Sequence, residues 1–350
     1  MHDAKSLLLL TAPEIARLLC GREVDVLEAV KGAYETHAQG ASSLPHSTFL
    51  RFTDRPSDRI IALPAYLGGR FDIAGVKWIA SFPGNVDRGI DRASAVIATN
   101  SVDTGRVDAV LEGALVSAVR TAASAALAAH TLHSASSTPC VGLVGCGVVN
   151  SEILRFLSVT FPAIEEVRLF DISEARARAF HSHHVRIGTG VSRMIVASRL
   201  EDALDAPLIS FATTAATPHV MSLAACLPGA TVLHISLRDL APDVVRGCDN
   251  VTDDIDHVCR SQTSLHLAEQ QVAHRRFIRC TLGDVLLGRA APRDGPGPTV
   301  FSPFGLGILD LAVAHLMVAR AREEGVGREI RGFASDYWTL SAQREVVHET

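Results

Sequence analysis

The 350-residue chain has no surplus of positive charge, no long apolar run and no regular cysteine framework, and each lack removes a class of function. With 33 Lys and Arg against 38 Asp and Glu, the net charge is −5. Nothing in that balance offers a phosphate backbone the basic surface it needs, so nucleic-acid binding is not expected. The seven cysteines (Cys20, Cys140, Cys146, Cys226, Cys248, Cys259 and Cys280) are scattered and odd in number. They argue against a disulfide scaffold and read as small core residues in a reducing compartment. Residues 7–10 form the only apolar block near the N-terminus, too short for a signal-peptide core and far below the ~20 residues of a membrane span. No repeat or low-complexity segment is present. A hydrophobic share of 47% with 20% charged residues therefore predicts a cytoplasmic globular protein, long enough for two domains and without a membrane partner.

What is present is a short apolar strand breaking into a glycine turn and then a helix, Pro139-Cys140-Val141-Gly142-Leu143-Val144-Gly145-Cys146-Gly147-Val148-Val149-Asn150. Gly145 permits the tight turn, Gly147 admits a pyrophosphate close to the backbone, and the helix starting near Val148, Val149 and Asn150 aims its amides and dipole at the phosphates. Asn150 stands where a third glycine is usual. A second apolar stretch, 167–170, ends in Asp171, 24 residues after Gly147. That spacing suits an acidic residue bonding a ribose diol and repelling a 2′-phosphate, so the expected cofactor is NAD.

From Pro139 onward the pattern alternates strand and helix, with buried strands expected at 140–144, 167–170, 208–212 and 231–235. The fold class is α/β, a Rossmann-type doubly wound parallel sheet. Before it lie β-prone segments at 49–52, 59–64, 75–79, 93–100 and 107–111, punctuated by Asp, Pro and Gly, which predict an antiparallel or mixed sheet. Thr11 and Glu14 form a capping box, and helices are expected at 24–37, 112–133 and 304–321, the last apart from its glycine-containing start. Residues 289–303, rich in proline and glycine, read as a loop. The expected division is an α+β substrate-binding and dimerisation domain of residues 1–125 and 304–350, with an NAD-binding domain of residues 126–303.

Four ordered motifs carry a resemblance: Gly75-Val76-Lys77, residues 119–126 with Arg120 and Thr121, the Gly145-x-Gly147 turn, and residues 305–312. Together they resemble the ornithine cyclodeaminase and mu-crystallin family. Residues 44–47, 59–69, 234–239 and 301–305 look most like its diaminopropionate-forming branch in siderophore biosynthesis. Ornithine cyclodeaminases carry an Asn and glycines before the equivalent of Asp239, and Ser236 to Arg238 departs from that. The resemblance implies NAD-dependent oxidative cleavage of N-(2-amino-2-carboxyethyl)-L-glutamate, a small amino-acid conjugate. The alternatives are ornithine cyclodeaminase, another amino-acid dehydrogenase, or a mu-crystallin-like binding protein. It also implies a homodimer through the first-domain sheet, where an apolar edge needs cover.

By the same resemblance Lys77 and Arg120 belong to the substrate site, with Arg120 and Thr121 near the cofactor. A guanidinium among alanines suits a carboxylate or phosphate. Asp239 follows the strand near 231–235, at the sheet edge where such folds place ligands, and its family counterpart is the general base; Lys77 is the other proton-transfer candidate. Arg51 and Arg238 are further carboxylate clamps. Thr213, Thr214 and Ser236 sit past strand ends, able to bond ribose or nicotinamide or to cap loops. His181, His183 and His184 read as surface histidines, and the cluster Asp253, Asp254, Asp256, His257 and Cys259 matches no metal-ligand spacing, so no metal is expected.

Overall fold

In the strand Arg59–Leu67 the side chains alternate, with Leu63, Ala65 and Leu67 buried and Tyr66 exposed, as in a sheet with one covered face. The computed structural model describes residues 6–134, 138–188, 190–293, 295 and 297–334. It places this strand in an eight-stranded sheet, edge to edge Arg328–Ile330, Leu7–Leu10, Val107–Glu112, Ala93–Asn100, Ile73–Ser81, Arg59–Leu67 and Ser42–Ser43, with Thr48–Arg51 also pairing with Arg59–Leu67. Only Leu7–Leu10 beside Val107–Glu112 is parallel, so the sheet is mixed. The apolar block 7–10 is thus a sheet strand. Pro64 falls between the residues that pair with the two short outer strands, Thr48↔Ala62 and Ser43↔Tyr66, where its missing N–H removes no bond on that side.

The second sheet is wholly parallel and ordered Arg193–Val196, Glu166–Phe170, Cys140–Val144, Leu208–Phe211, Thr231–His234, Thr299–Phe301, Asp249–Thr252 and Ile278–Thr281. Its central strands are buried on both faces and therefore read as continuous apolar runs. Strand order steps outward from Cys140–Val144 in one direction, then restarts at Leu208–Phe211 in the other. This makes a topological switch point at their carboxyl ends. The α/β, doubly wound class holds.

One expectation fails: residues 289–303 are not all loop. Thr299–Phe301 is a buried strand inserted between Thr231–His234 and Asp249–Thr252. Three residues are too few to show a period, and the flanking prolines and glycines dominate the local signal.

The chain divides into two compact units: one of the described residues up to Arg22, Ala41–Ser117 and those from Asp310, the other of Glu23–Gly40 and Ala118–Leu309. Both divisions near 117 and 310 fall inside helices, Ala114–Leu132 and Gly307–Glu324. Among the described residues only Ala114–Leu132 has the length and apolarity of a span, and most of it is buried as a core helix. In the second unit, Gly142 is required by packing: a Cβ there would lie 1.9 Å from the Ala203 carbonyl oxygen.

Candidate active site

At the switch point the strand Cys140–Val144 turns through Gly145, whose φ of 91° is strained for any side chain. A Cβ there would also lie 2.6 Å from the carbonyl oxygen of Ala212, beyond the end of the neighbouring strand. Gly147 is different: it is exposed with open space where a Cβ would be, and it caps the helix Val148–Thr160. The amides of that helix's first turn are orphan donors. Val148 is exposed there and Val149 half-buried, whereas Asn150 is buried. The Asn150 amide donates to the carbonyls of Val144 at 3.0 Å and Gly145 at 2.7 Å, and its oxygen accepts from the Ser210 hydroxyl at 2.7 Å. Asn150 thus holds the turn's shape from beneath. Asp171 fixes it from the side, accepting the amides of Cys146 at 2.8 Å and Ser173 at 2.9 Å. Each carboxylate oxygen has further lone-pair capacity for a ribose hydroxyl. The open glycine, the helix start and the anchored acid fit an adenine dinucleotide.

Asp239 lies behind the same strand ends and is wholly buried. The hydroxyls of Thr213 and Ser236 both donate to its carboxylate. Burial pushes its pKa up, but His234, Ser236 and Thr213 outweigh burial and hold the carboxyl below the usual carboxylate range. The Nε2 of His234 stands 3.2 Å from the Asp239 amide nitrogen and 3.3 Å from its Oδ2, and can serve only one of them. With its proton on Nδ1, facing Ser302 Oγ at 3.1 Å, the ring accepts the amide; with a proton on Nε2 it donates to the carboxylate. In the second arrangement His234 joins the Thr213 and Ser236 hydroxyls in favouring the ionised carboxylate. The turn that delivers Asp239 contains Leu237 at φ 69°, a left-handed conformation costly for a leucine, which the sequence did not signal.

Arg120 is buried in the alanine-rich helix, and its guanidinium lies against Gly305: a Cβ at Gly305 would sit 3.0 Å from Nη1. Asp253 secures that loop by accepting the amides of Phe304 at 2.8 Å and Gly305 at 2.7 Å. Burial dominates its titration and pushes its pKa up, with the amide bonds opposing. Tyr34, bonded to Ser124 at 2.7 Å, is buried beside this group; burial and the Asp253 charge raise its pKa, so its phenol stays protonated. Tyr34, which the sequence did not single out, and Asp253, weighed there only as part of a possible metal-ligand cluster, shape this group through pairings across long stretches of chain. Thr121 follows Arg120 half-buried on the helix.

In the first unit Lys77 is buried and donates to Asp310 at 2.7 Å and Ser117 at 3.1 Å. Arg51 is exposed on its strand, with its guanidinium over the Phe49 ring. In the second unit Arg238 donates to the Ser261 carbonyl at 2.7 Å, and Thr214 is exposed. His184 corrects the surface-histidine reading. It is buried beside Ala177 and Phe180 on the inner face of Glu174–Ile187, with Nε2 3.1 Å from Ser151 Oγ. The helical period 177, 180, 184 carried that signal. No group of three or more His, Cys, Asp and Glu among the described residues is arranged to hold a metal. Burial, with the Asp171 charge second, pushes the Cys146 thiol up to about 12, so it is not a nucleophile at neutral pH.

Comparison with known proteins returns relatives over most of the chain's length. An alanine dehydrogenase of Archaeoglobus fulgidus is 28% identical over 334 residues, covering 93% of this chain and 98% of that protein. An N-((2S)-2-amino-2-carboxyethyl)-L-glutamate dehydrogenase of Staphylococcus aureus is 27% identical over 309 residues, covering 86% of this chain and 91% of its own. A solved archaeal alanine dehydrogenase dimer with bound NAD superposes with a TM-score of 0.82 at 26% identity, over 93% of this chain and 99% of that one. The sequence pattern of the ornithine cyclodeaminase/mu-crystallin family matches residues 8–325, which include the Lys77 strand, the Arg120 helix, the glycine turn and the Gly305 loop. The chain belongs to the ornithine cyclodeaminase/mu-crystallin family.

Proposed function

We propose that the protein is an NAD-dependent dehydrogenase that cleaves N-(2-amino-2-carboxyethyl)-L-glutamate to 2,3-diaminopropionate and 2-oxoglutarate, a supply step for siderophore assembly. The observation that carries the reading is a buried Asp239 bonded to Thr213, which directly follows Ala212, the residue whose carbonyl lies against the dinucleotide turn at Gly145. Such an acid has little structural reason to sit there unless it handles protons beside a cofactor. The likeness to the Staphylococcus aureus enzyme supports the substrate.

NAD supplies the hydride acceptor. Gly147 and the first turn of Val148–Thr160 hold its pyrophosphate, and Asp171 holds its adenosine ribose. Oxidation at the glutamyl α-carbon leaves a substrate imine; water adds to that carbon, and the carbon–nitrogen bond breaks to give the ketone and the amine. Arg120 binds carboxylate and orients the carbon–hydrogen bond. Lys77, held by Asp310 and Ser117, serves binding and positive potential. Asp239 takes the proton of the attacking water. A weakly basic carboxylate suffices, because water adding to a protonated imine becomes strongly acidic as the bond forms.

Incubation with the conjugate and NAD, followed by mass spectrometry, tests the assignment: diaminopropionate and 2-oxoglutarate should appear in step with NADH. The Archaeoglobus fulgidus relative favours a second reading, alanine oxidation, which predicts pyruvate and ammonia from alanine instead. Proline formed from ornithine without net NADH would mark a cyclodeaminase, and NADH binding with no turnover a mu-crystallin-like role.

The molecule works as a homodimer in this reading. Leu50, Tyr66, Trp78 and Val96 are exposed on one face of the first sheet, and the archaeal relative is a dimer. The apolar surface lies on that face; the outermost segments Ser42–Ser43 and Arg328–Ile330 are largely polar.

A further inference from the structure

The face of the first sheet that carries Lys77 carries a second group of cations. Across the strands Arg51 stands opposite Arg59, Arg59 opposite Ser81 and Ser81 opposite Ala93, and directly opposed residues share a face. Arg92, adjacent to Ala93, donates from Nη1 to the Ser81 hydroxyl at 2.8 Å, which brings its guanidinium to the same place. Lys77 and Ser81 lie four positions apart on one strand and so point to one side. At ~3.3 Å per residue the cation group is ~13 Å along the strand from Lys77. Between them on that face stand Ile79 and, opposite it, Ile61.

Three guanidinium groups gathered without an anion repel one another. Arg59 and Arg92 are partly buried, and no described carboxylate pairs with Arg51, Arg59 or Arg92. Burial and the neighbouring Arg51 lower the pKa of Arg59; burial and Arg59 lower that of Arg92. A bound anion would relieve both terms, and paired N–H donors suit a carboxylate.

We propose that Arg51, Arg59 and Arg92 form a second carboxylate site, which takes the distal carboxylate of the substrate's glutamyl arm, with Ile61 and Ile79 against its methylenes. This rests on the reading of the substrate as a glutamate conjugate and names what selects it: a second carboxylate on a short apolar arm. Alanine, with one carboxylate, has nothing to offer this site.

Titration calorimetry on the NADH-loaded protein tests the site with 2-oxoglutarate and 2-oxopentanoate, which differ by a carboxylate in place of a methyl. The dicarboxylate should bind at least about tenfold tighter. Arg59→Gln and Arg92→Gln should each narrow that ratio while leaving 2-oxopentanoate and NADH binding unchanged, and Arg59→Lys should keep part of it. Equal binding of the two acids by the unaltered protein overturns the proposal without recourse to a variant. So does a ratio that survives both glutamine substitutions. An arginine-dependent preference without turnover of the conjugate leaves the site standing and removes the reaction; turnover with an unchanged ratio does the reverse.

Discussion

Asp171 is bonded to two backbone amides and keeps lone pairs for the proposed ribose contact, so charge and structure can be separated there. Asp171→Asn keeps an acceptor for the turn but loses the charge, and should admit NADP while retaining NAD. Asp171→Ala should weaken NADH binding by about tenfold or more, the loss of one charge-assisted bond worth ~1.5–3 kcal/mol. Fluorescence titration with NADH and NADPH reads both, and equal kcat/KM with NAD and NADP in the unaltered enzyme would sink the ribose assignment. Asp239→Asn should lower turnover by ~10²–10⁴ with NADH binding little changed. Because its folded pKa is lowered, Asp239 stays ionised until pH falls below the ordinary carboxylate range, and the stability its bonds provide is lost only there. Any acid limb of kcat/KM near neutrality therefore belongs to another group; a limb there that vanishes in Asp239→Asn would contradict the assignment. The glycine turn and Asp171 were legible because their chemistry is local in sequence. Thr213 and Ser236 read as ribose or nicotinamide donors or as loop caps; Thr213 does accept the Ala215 amide, and both hydroxyls also bond Asp239, a partnership made only when the sheet aligns two strand ends.

At the scale of elements, strands with a two-residue alternation or an unbroken apolar run were readable, and short ones were not. Asp249–Thr252 contains Asp249 and Asn250, which look like loop residues until Asn250 is seen donating to the carbonyls of Val245, Cys248 and Phe277 at 2.7, 3.0 and 3.0 Å. The helix expected at 304–321 apart from its glycine-containing start begins at Gly307, with Phe304 and Gly305 turning their amides to Asp253. That loop couples backbone geometry to Arg120. Gly305→Ala would place a methyl 3.0 Å from the guanidinium at a φ of 91°, so it should cost ~1–3 kcal/mol of stability and displace the clamp. The expected signature is a lower Tm with a raised KM for the conjugate and a nearly unchanged NADH affinity. An unchanged KM would show that Arg120 does not bind the substrate's carboxylate.

For the whole molecule, the exposed face of the first sheet is the surface that calls for cover. Register puts Leu50 opposite Ile60, and Ala62, Trp78 and Val96 in one line across three strands, so the exposed large side chains form one surface, not scattered exceptions. Trp78 is 42% exposed at its centre, while Lys77 beside it points to the opposite face. A second copy would bury this surface by a twofold axis, matching like with like. Trp78→Glu then removes a central aromatic, worth ~2–3 kcal/mol on burial, and forces a charge into its place, so dimer affinity should fall by at least about thirtyfold. Sedimentation velocity at micromolar concentration should show a dimer for the unaltered protein and monomer for the variant. NADH binding should persist, because the glycine turn, Asp171 and their hydrogen bonds all lie within the second unit, which does not include Trp78. A monomeric unaltered protein, or a dimer that Trp78→Glu leaves intact, would place the apolar face outside the assembly.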